Sequence, residues 1–273
     1  LGAALDDVAS AEHFIAPANL IPPACDRIEP DMLPLISLSQ EEIDRIVATV
    51  PGGAKNVQDI YPLAPLQEGI FFFHQLHRQN DPYLLSALFC VEGSARFEAL
   101  KDALQRVIDR HDVLRTAVVS ENLSTPVQVV YRHVDLQVET IELDSAPDAV
   151  SQMKARFDGP RVMDIARAPM LRIHAARDPH SANVYVQFQI HHLIQDIISA
   201  GILESEVQAC LAGRSEELTA PPSYREFVAH AMHNARHSDA ETFFKQMLGD
   251  VTAPTAPFNL LNVRGDGTEI LDV

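Results

Sequence analysis

The stretch VYVQFQIHHLIQDIISAGIL, residues 184–203, ends an apolar segment in two histidines. Alternation along a strand places His192 on the face of the apolar row 184–190 and His191 on the opposite face. This pattern predicts a strand that carries His192 to the mouth of a buried interior, where an imidazole can accept a proton. Asp196 follows shortly after, and a buried carboxylate at that point needs a cationic partner. We expect that partner to be an arginine.

Residue types alone leave a second interpretation open, in which the histidines only pack and satisfy hydrogen bonds at a strand end. A metal site is not expected, because adjacent histidines on a strand point to opposite faces and the H-E-x-x-H spacing is absent. The chain also lacks a G-x-S-x-G elbow, a Walker-type loop and a G-x-G-x-x-G turn. Hydrolase, nucleotide and dinucleotide functions therefore have no support from motifs.

Strand patterns surround the histidine segment. MLRIHAAR and NVYVQFQIHH are joined by the turn-rich DPHSA, which predicts an antiparallel hairpin. LRTAVVS and PVQVVYRHV predict two further short strands, and LLSALFCVEG predicts a strand that is buried on both faces.

Helical patterns alternate with these strands. SQEEIDRIVATV (39–50) offers a capping box, and Pro65 suits the first turn of a helix whose face carries Leu66, Ile70 and Phe73. Further helices are predicted at SARFEALKDALQRVIDRHD, at residues 146–159, after the histidines as far as Gly213, and from SYREF onward with a break near Ser238. Strands interleaved with helices predict an α/β fold with a mixed sheet.

Composition and charge narrow the possible partners. The 273 residues carry 21 Lys and Arg against 38 Asp and Glu, a formal net charge of -17. Such a charge repels phosphate backbones and anionic membranes, so we expect neither nucleic acid nor a membrane as a partner. Cys25, Cys90 and Cys210 show no metal or disulfide spacing and are expected to be reduced thiols in a cytoplasmic protein.

Three motifs together resemble one family. HHLIQD matches H-H-x-x-x-D, DRHDVLRTAVV (109–119) resembles an R-H-E-x-L-R-T segment, and YPLAPLQEGIFFFH resembles the opening motif of condensation domains in nonribosomal peptide synthetases. SYREFVAHA and ETFFKQMLGD are similar to the helical region that follows the histidine motif in that family. The order and separation of the motifs make the resemblance far more specific than any one of them.

The resemblance implies a chloramphenicol acetyltransferase-like lobe with a mixed, largely antiparallel sheet flanked by helices. It also implies amide formation between a donor acyl or peptidyl thioester and the α-amine of an acceptor aminoacyl thioester. No cofactor would bind directly, since both substrates would be carried on phosphopantetheine of partner carrier domains. The implied partners are upstream and downstream peptidyl carrier domains, an adjacent adenylation domain, and a second lobe that completes the reaction tunnel.

Residue roles follow from the motif positions. On this resemblance His192 is the catalytic residue that deprotonates or orients the attacking amine, and His191 is a structural member of the motif. Asp196 would shape the site through an ion pair, for which Arg110 and Arg115 are the candidate partners.

Two channel-lining candidates complete the implied site. Ile197 departs from the glycine that usually follows the motif aspartate, and it adds a branched side chain where the backbone runs close to the channel. Ser199 matches a small residue often found there, and its alternative role is the N-cap of the next helix.

The resemblance also divides the chain. Residues 1–38 are expected to be a linker after a carrier domain, 39–57 a short helix and connection, 58–250 the amino-terminal lobe, and 251–273 a crossover toward a second lobe that lies outside this sequence.

Other functions remain open. One is epimerisation, alone or combined with condensation, because such relatives share the histidine motif. Another is a non-catalytic half-domain that docks carrier proteins, which Ile197 and the missing lobe would favour. A free-standing acyltransferase acting on soluble thioesters is disfavoured by the linker-like start.

Overall fold

Most helix and strand boundaries follow local sequence signals. In this computed structural model the described residues are 14–77, 79–145, 148–158, 162–237, 239–253 and 256. The described helices are α1 (Gln40–Thr49), α2 (Pro65–Leu76), α3 (Ser94–Arg110), α4 (Ala149–Phe157), α5 (Ile197–Leu211), α6 (Tyr224–His237) and α7 (Ala240–Leu248). The described strands are β1 (Val57–Pro62), β2 (Leu84–Val91), β3 (Thr116–Val119), β4 (Val127–Tyr131), β5 (Gln137–Ile141), β6 (Leu171–Arg177) and β7 (Val184–His191).

The described strands form two sheets. A three-stranded antiparallel sheet has the order β1-β4-β3, and a four-stranded sheet has the order β2-β7-β6-β5. In the second sheet β2, β7 and β6 are antiparallel neighbours, whereas β5 runs parallel to β6. The predicted α/β fold with a mixed, largely antiparallel sheet is therefore confirmed.

The hairpin predicted from the sequence is present, and the two further predicted short strands also pair with each other. β6 pairs with β7 so that Leu171 lies opposite Ile190, and β3 pairs with β4 so that Thr116 lies opposite Val130. Helices cover both faces of the four-stranded sheet, as the amphipathic patterns predict. Phe97 of α3 packs with Val186 on one face, and Met153 of α4 packs with Ala176 on the other.

The prediction that β2 is buried on both faces was wrong. β2 is an edge strand whose residues are mostly exposed, with Leu85 39% and Phe89 38% exposed. An apolar run cannot distinguish a central strand from an edge strand, because that depends on which other strands pair with it. The predicted stripe on α2 is also only partly buried: Ile70 is buried, whereas Leu66 and Phe73 face solvent.

Two strands were missed. β1 contains Asp59 between apolar residues, and this carboxylate is buried because the Arg225 guanidinium bonds both of its oxygens at 2.8 and 2.6 Å. β5 is short and mostly exposed, so its alternation is weak. The sequence pattern is weak for both β1 and β5, because each strand depends on partners from elsewhere in the fold.

The described part of the expected linker is packed onto the lobe. Residues 14–38 contain no α-helix or β-strand, and they bury Ile21, Ile28 and Leu33 in the core beside the three-stranded sheet. Arg225 also donates to the Pro17 carbonyl at 2.8 Å. A connection to a preceding carrier domain stays a prediction, as does the division of the chain into four segments.

The helix after the histidines ends as predicted. Leu211 is the last residue of α5, and Gly213 follows with φ 71°, while the Arg214 N–H donates to the Ala209 carbonyl at 2.9 Å. This left-handed glycine with a 6→1 bond is a Schellman-type cap. The predicted break near Ser238 is consistent with the end of α6 at His237 and the start of α7 at Ala240, although Ser238 itself lies outside the described residues.

The chain divides into two compact units, residues 1–233 and 234–273. The second unit holds α7, whose N-cap is Asp239. Most of the expected crossover 251–273 lies outside the described residues, as do residues 1–13. Among the helices that the structure describes, none combines the length and apolar character needed to cross a membrane.

Candidate active site at the end of strand β7

His191, the last residue of β7, has a fully buried side chain. Its Nδ1 accepts the Leu193 N–H at 3.1 Å, so the proton of the neutral ring resides on Nε2 and is donated to Asp81 Oδ2 at 2.9 Å. Burial lowers the pKa of His191, although Asp81 opposes that shift. His191 is therefore a neutral hydrogen-bonding residue held in one tautomer, which supports the structural role implied by the resemblance.

Asp81 was not among the residues predicted from the sequence. Its buried carboxylate accepts hydrogen bonds from His74 Nδ1 at 2.5 Å, from His191 and from the Tyr83 N–H at 2.9 Å. Desolvation raises the pKa of Asp81, but these hydrogen bonds outweigh it and the pKa lies below its ordinary value. A charged Asp81 thus joins α2, β2 and β7 behind the histidine pair. The residues DPY lie in a connecting segment and are typical of a turn. No local pattern therefore predicts that Asp81 binds the histidines.

His192 lies one residue beyond β7 and is half-buried. Its backbone N–H donates to the Tyr83 carbonyl at 2.9 Å, and its Nδ1 is in short contact with the Gln195 carbonyl oxygen. Because a carbonyl can only accept, Nδ1 carries the proton, and Nε2 of the neutral ring is left with its lone pair. The geometry therefore presents His192 as a proton acceptor through Nε2.

Gln67 connects the opening motif to the histidine turn. Its Nε2 donates to the Leu193 carbonyl at 2.9 Å, and its amide pairs reciprocally with that of Gln128 at 3.0 and 2.9 Å. Its Oε1 also accepts the Ala64 N–H at the start of α2. The motif pattern assigned no role to Gln67. A buried polar residue in an apolar helix start was the available signal.

Asp196 does not make the expected ion pair. It is exposed and is the N-cap of α5, where its Oδ1 accepts the Ser199 N–H at 2.8 Å. The backbone and side-chain hydrogen bonds of Ser199 lower the pKa of Asp196. The expectation of a buried Asp196 paired with an arginine was wrong, because a carboxylate at a helix start is satisfied by the free backbone N–H groups.

Both candidate arginines bind elsewhere. Arg110 donates to Glu206 of α5 at 3.0 Å, and His111 lies 2.9 Å from the same carboxylate, so the R-H segment anchors α5. Arg115 is buried and donates to the Ile108 carbonyl at 3.2 Å and in a short contact to that of Tyr131. Both arginines therefore stabilise the lobe rather than forming an ion pair with Asp196.

The two channel-lining candidates lie at the start of α5. Ile197 is 86% exposed and Ile198 is 73% exposed. Ser199 is the third helical residue rather than the N-cap, and its hydroxyl completes a capping box by accepting the Asp196 N–H at 2.7 Å. The alternative N-cap role for Ser199 was therefore misplaced by three residues. Whether either residue lines a channel stays a prediction.

His74, Asp81 and His191 are the described residues whose donor types and spacing suit a metal, with ligand atoms within 4.8 Å of one another. Metal binding through His191 Nε2 requires an unprotonated Nε2. The Leu193 N–H instead places the proton there. The cluster is therefore better described as a hydrogen-bond network around a charged Asp81.

An apolar cavity of about 350 Å³ lies beside the histidine turn, between the four-stranded sheet and helices α3 and α5. Its lining includes Phe188 and Ile190 of β7, which belong to the row that the sequence predicts to face the interior. Gln195, whose carbonyl contacts His192, is also in the lining. The cavity thus borders residues 188–195, the segment that also carries His192.

Comparison with solved structures defines the class of fold. The cyclization-docking bidomain of a nonribosomal peptide synthetase from Sorangium cellulosum superposes with a TM-score of 0.59 at 18% identity, over 81% of this chain and 43% of that chain. A four-domain nonribosomal peptide synthetase superposes with a TM-score of 0.56 at 19% identity, over 70% of this chain and 15% of that chain. The lobe therefore has the fold found in multidomain synthetases of this class.

Sequence comparison establishes the family. The family model described as condensation domain matches residues 57–257. Malpinin synthetase from Mortierella alpina is 40% identical over 274 residues, which cover 100% of this chain and 4% of that protein. Malpibaldin synthetase from the same organism is 41% identical over 266 residues, 97% of this chain and 5% of that protein. The chain belongs to the condensation-domain family, and it spans only a few per cent of these curated relatives.

Proposed function

We propose that this chain supplies the histidine-bearing part of a condensation domain that forms an amide bond. The donor is an acyl or peptidyl thioester, the acceptor is the α-amine of an aminoacyl thioester, and both are carrier-bound. Family membership supports this proposal. The observation that carries it is the contact between His192 Nδ1 and the Gln195 carbonyl, because it leaves Nε2 as the proton acceptor.

The reaction needs one proton acceptor and neither an oxidant nor a reductant. The amine nitrogen attacks the thioester carbonyl, a C–N bond forms, and the C–S bond to the donor phosphopantetheine breaks. Nε2 of His192 takes the proton that the amine loses, and the departing sulfur is released as a thiol once a proton reaches it. Two tethered substrates also gain effective concentration, which lowers the barrier without a bound cofactor.

We further propose that the chain acts inside a multidomain synthetase. Its small share of the curated relatives supports this context. The partners would be upstream and downstream carrier domains, an adjacent adenylation domain and a second lobe of the same condensation domain. A cytoplasmic location remains a prediction from the scattered cysteines.

The test compares amide formation in the synthetase that contains this chain with that of two histidine variants. His192→Ala should lower the single-turnover rate by about 100-fold or more. His180→Ala is the matched control, since His180 lies in the turn at the other end of β7. Intact mass of the acceptor carrier reports product. Equal rates for wild type and His192→Ala would refute His192 as the base.

A docking function without catalysis has one observation in its favour. Ile197, Ile198 and Ile202 of α5 are at least half exposed, and a cluster of exposed apolar residues is typical of an interaction surface. Under this alternative, His192→Ala leaves product formation unchanged, whereas Ile198→Asp reduces it. The two variants together therefore separate the alternatives.

A further inference from the structure

The backbone of Leu193, the residue after His192, is held on both sides. Its N–H donates to His191 Nδ1 at 3.1 Å, and its carbonyl accepts from Gln67 Nε2 at 2.9 Å. The Leu193 side chain is buried in the core. A buried backbone polar group keeps its partner, because leaving it unpaired is costly. The two peptide groups that flank Leu193 are therefore fixed in orientation.

The amide of Gln67 has only one possible orientation. Its Oε1 accepts the Ala64 N–H at 2.9 Å and its Nε2 donates to the Leu193 carbonyl, so exchanging the two atoms would lose both bonds. Its other N–H and its other lone pair bind the Gln128 amide at 3.0 and 2.9 Å. Gln67 is buried, and every donor and acceptor position of its amide is used. The bond to Leu193 is therefore specified by the whole network.

The contact that fixes the tautomer of His192 lies in the same turn. The Ile194 N–H donates to the His191 carbonyl at 3.2 Å, and the Gln195 carbonyl oxygen contacts His192 Nδ1. The backbone that joins His192 to Gln195 passes through the two peptide groups that flank Leu193. Their orientation therefore determines where the Gln195 carbonyl lies relative to the ring.

We propose that Gln67 is a positioning residue for His192. By holding the Leu193 carbonyl, Gln67 keeps the Gln195 carbonyl on Nδ1, and this leaves Nε2 unprotonated and able to accept a proton. Gln67 lies 126 residues from Leu193 along the chain and binds the backbone of the turn rather than the ring. Without this bond the turn can relax, and the ring can carry its proton on Nε2, where it no longer serves as a base. This inference rests on the proposed function, in which Nε2 takes the proton of the attacking amine.

Nitrogen NMR of isotope-labelled histidines tests the inference without catalysis, since it shows which ring nitrogen carries a proton. Spectra of this chain at about pH 8 observe neutral rings, and comparison with His192→Ala identifies the His192 signals. Wild type should hold the His192 proton on Nδ1. Gln67→Met keeps the length of the side chain but removes the amide. It should shift the ratio of the two tautomers about fivefold to tenfold toward the form protonated at Nε2, which is the effect of losing one neutral hydrogen bond.

Gln128→Met is the matched control, because it makes the same change at a buried position of the same network. It removes the bonds to Gln67 and to the Pro62 carbonyl but leaves Gln67 bonded to Leu193. Its His192 tautomer ratio should equal that of wild type. An equal shift in both variants would show that general packing, rather than the Gln67 bond, holds the ring. No shift in Gln67→Met would exclude the positioning role.

Gln67→Asn keeps the test valid if Gln67→Met does not fold, which circular dichroism establishes. The asparagine amide can still accept the Ala64 N–H at the helix start, but it is one methylene shorter and does not reach Leu193. It should shift the His192 tautomer ratio in the same direction. A wild-type spectrum with the proton on Nε2 would overturn the proposal whatever the variants show.

The synthetase that contains this chain reports the effect on the reaction. Gln67→Met should lower the single-turnover rate at saturating acceptor carrier about tenfold or more, because a displaced base loses its alignment, while the half-saturating concentration stays within about twofold of wild type. Gln75→Met, at an exposed position of α2, is the control and should keep the wild-type rate. A wild-type rate in Gln67→Met would overturn the positioning role. If His192→Ala is fully active while Gln67→Met still shifts the tautomer ratio, the proposed base fails and the coupling of Gln67 to the ring stands.

Discussion

Asp81→Asn is the substitution that most directly tests the network behind the histidines. The Asp81 carboxylate accepts three hydrogen bonds, from His74 at 2.5 Å, His191 at 2.9 Å and the Tyr83 N–H at 2.9 Å. An asparagine has the same shape but a single acceptor oxygen. If that oxygen faces the histidines, the amide NH₂ opposes the Tyr83 N–H. If it faces Tyr83, the NH₂ opposes the ring nitrogens.

The magnitude follows from these contacts. A hydrogen bond to a charged group contributes about 1.5–3 kcal/mol, and an unpaired buried donor costs about 1–3 kcal/mol. His191 cannot adapt by changing tautomer, because its Nδ1 accepts the Leu193 N–H. We therefore expect Asp81→Asn to lower the free energy of unfolding by about 3–5 kcal/mol.

Urea unfolding of the chain at neutral pH measures this loss. Asp102→Asn makes the same chemical change on the exposed face of α3 and should stay within about 0.5 kcal/mol of wild type. The slope of free energy against urea concentration should be unchanged, so that the midpoint reports stability.

The pH dependence gives a second check. Since the folded pKa of Asp81 is lowered, its stabilisation is present above the ordinary carboxyl pKa and is lost as the pH falls below it. The difference between wild type and Asp81→Asn should therefore shrink in acid. A loss below about 1 kcal/mol at neutral pH, or a difference that grows in acid, would refute the network as described.

Three further predictions concern the framework. Hydrogen bonds from Ser124 and Ser39 lower the pKa of Glu42 from its ordinary 4.5 to about 2, so wild type should lose stability as the pH falls between these values and Glu42→Gln should lose less. Asp59→Ala leaves the Arg225 guanidinium buried without its carboxylate and should cost about 3–5 kcal/mol in urea unfolding. Asp196→Ala removes the N-cap of α5 and should cost about 1 kcal/mol, whereas Asp196→Asn retains most of the cap, as measured by thermal unfolding.

Each of these has a control and an opposing outcome. Glu41→Gln, on the exposed side of α1, should titrate like wild type; an identical profile for Glu42→Gln would exclude the bond to Ser124. The double variant Asp59→Ala with Arg225→Met should cost about 1–3 kcal/mol less than the sum of its singles, and strict additivity would show that the pair is not coupled. Equal losses for Asp196→Ala and Asp196→Asn would show that the charge matters rather than the cap.

The signals that predicted structure well were local. The capping box of Ser39 and Glu42, Pro65 at the start of α2 and Gly213 after α5 each mark a helix end that the structure confirms. These features depend on backbone groups within one turn, so neighbouring residues suffice to specify them. The turn-rich DPHSA between two strand patterns likewise predicted the pairing of β6 with β7.

The candidate site was only partly predictable. The motif drew attention to His191 and His192, but neither Asp81 nor Gln67 has a local pattern that connects it to them. Asp81 lies 110 residues from His191 along the chain, and Gln67 lies 126 residues from Leu193. Hydrogen bonds between residues so far apart in the chain can be identified only once the strand pairing is known.

The sequence by itself determined the helices, the central hairpin and the family, because periodicity, capping residues and motif order are written in neighbouring positions. The tertiary structure alone decided three things: that β2 is an edge strand, that Asp196 caps a helix instead of pairing with an arginine, and that His192 offers Nε2. The edge position of β2 depends on which strands pair in the fold. The contacts of Asp196 and His192 join residues only three apart, but the backbone conformation that forms them depends on how the chain leaves β7 and enters α5.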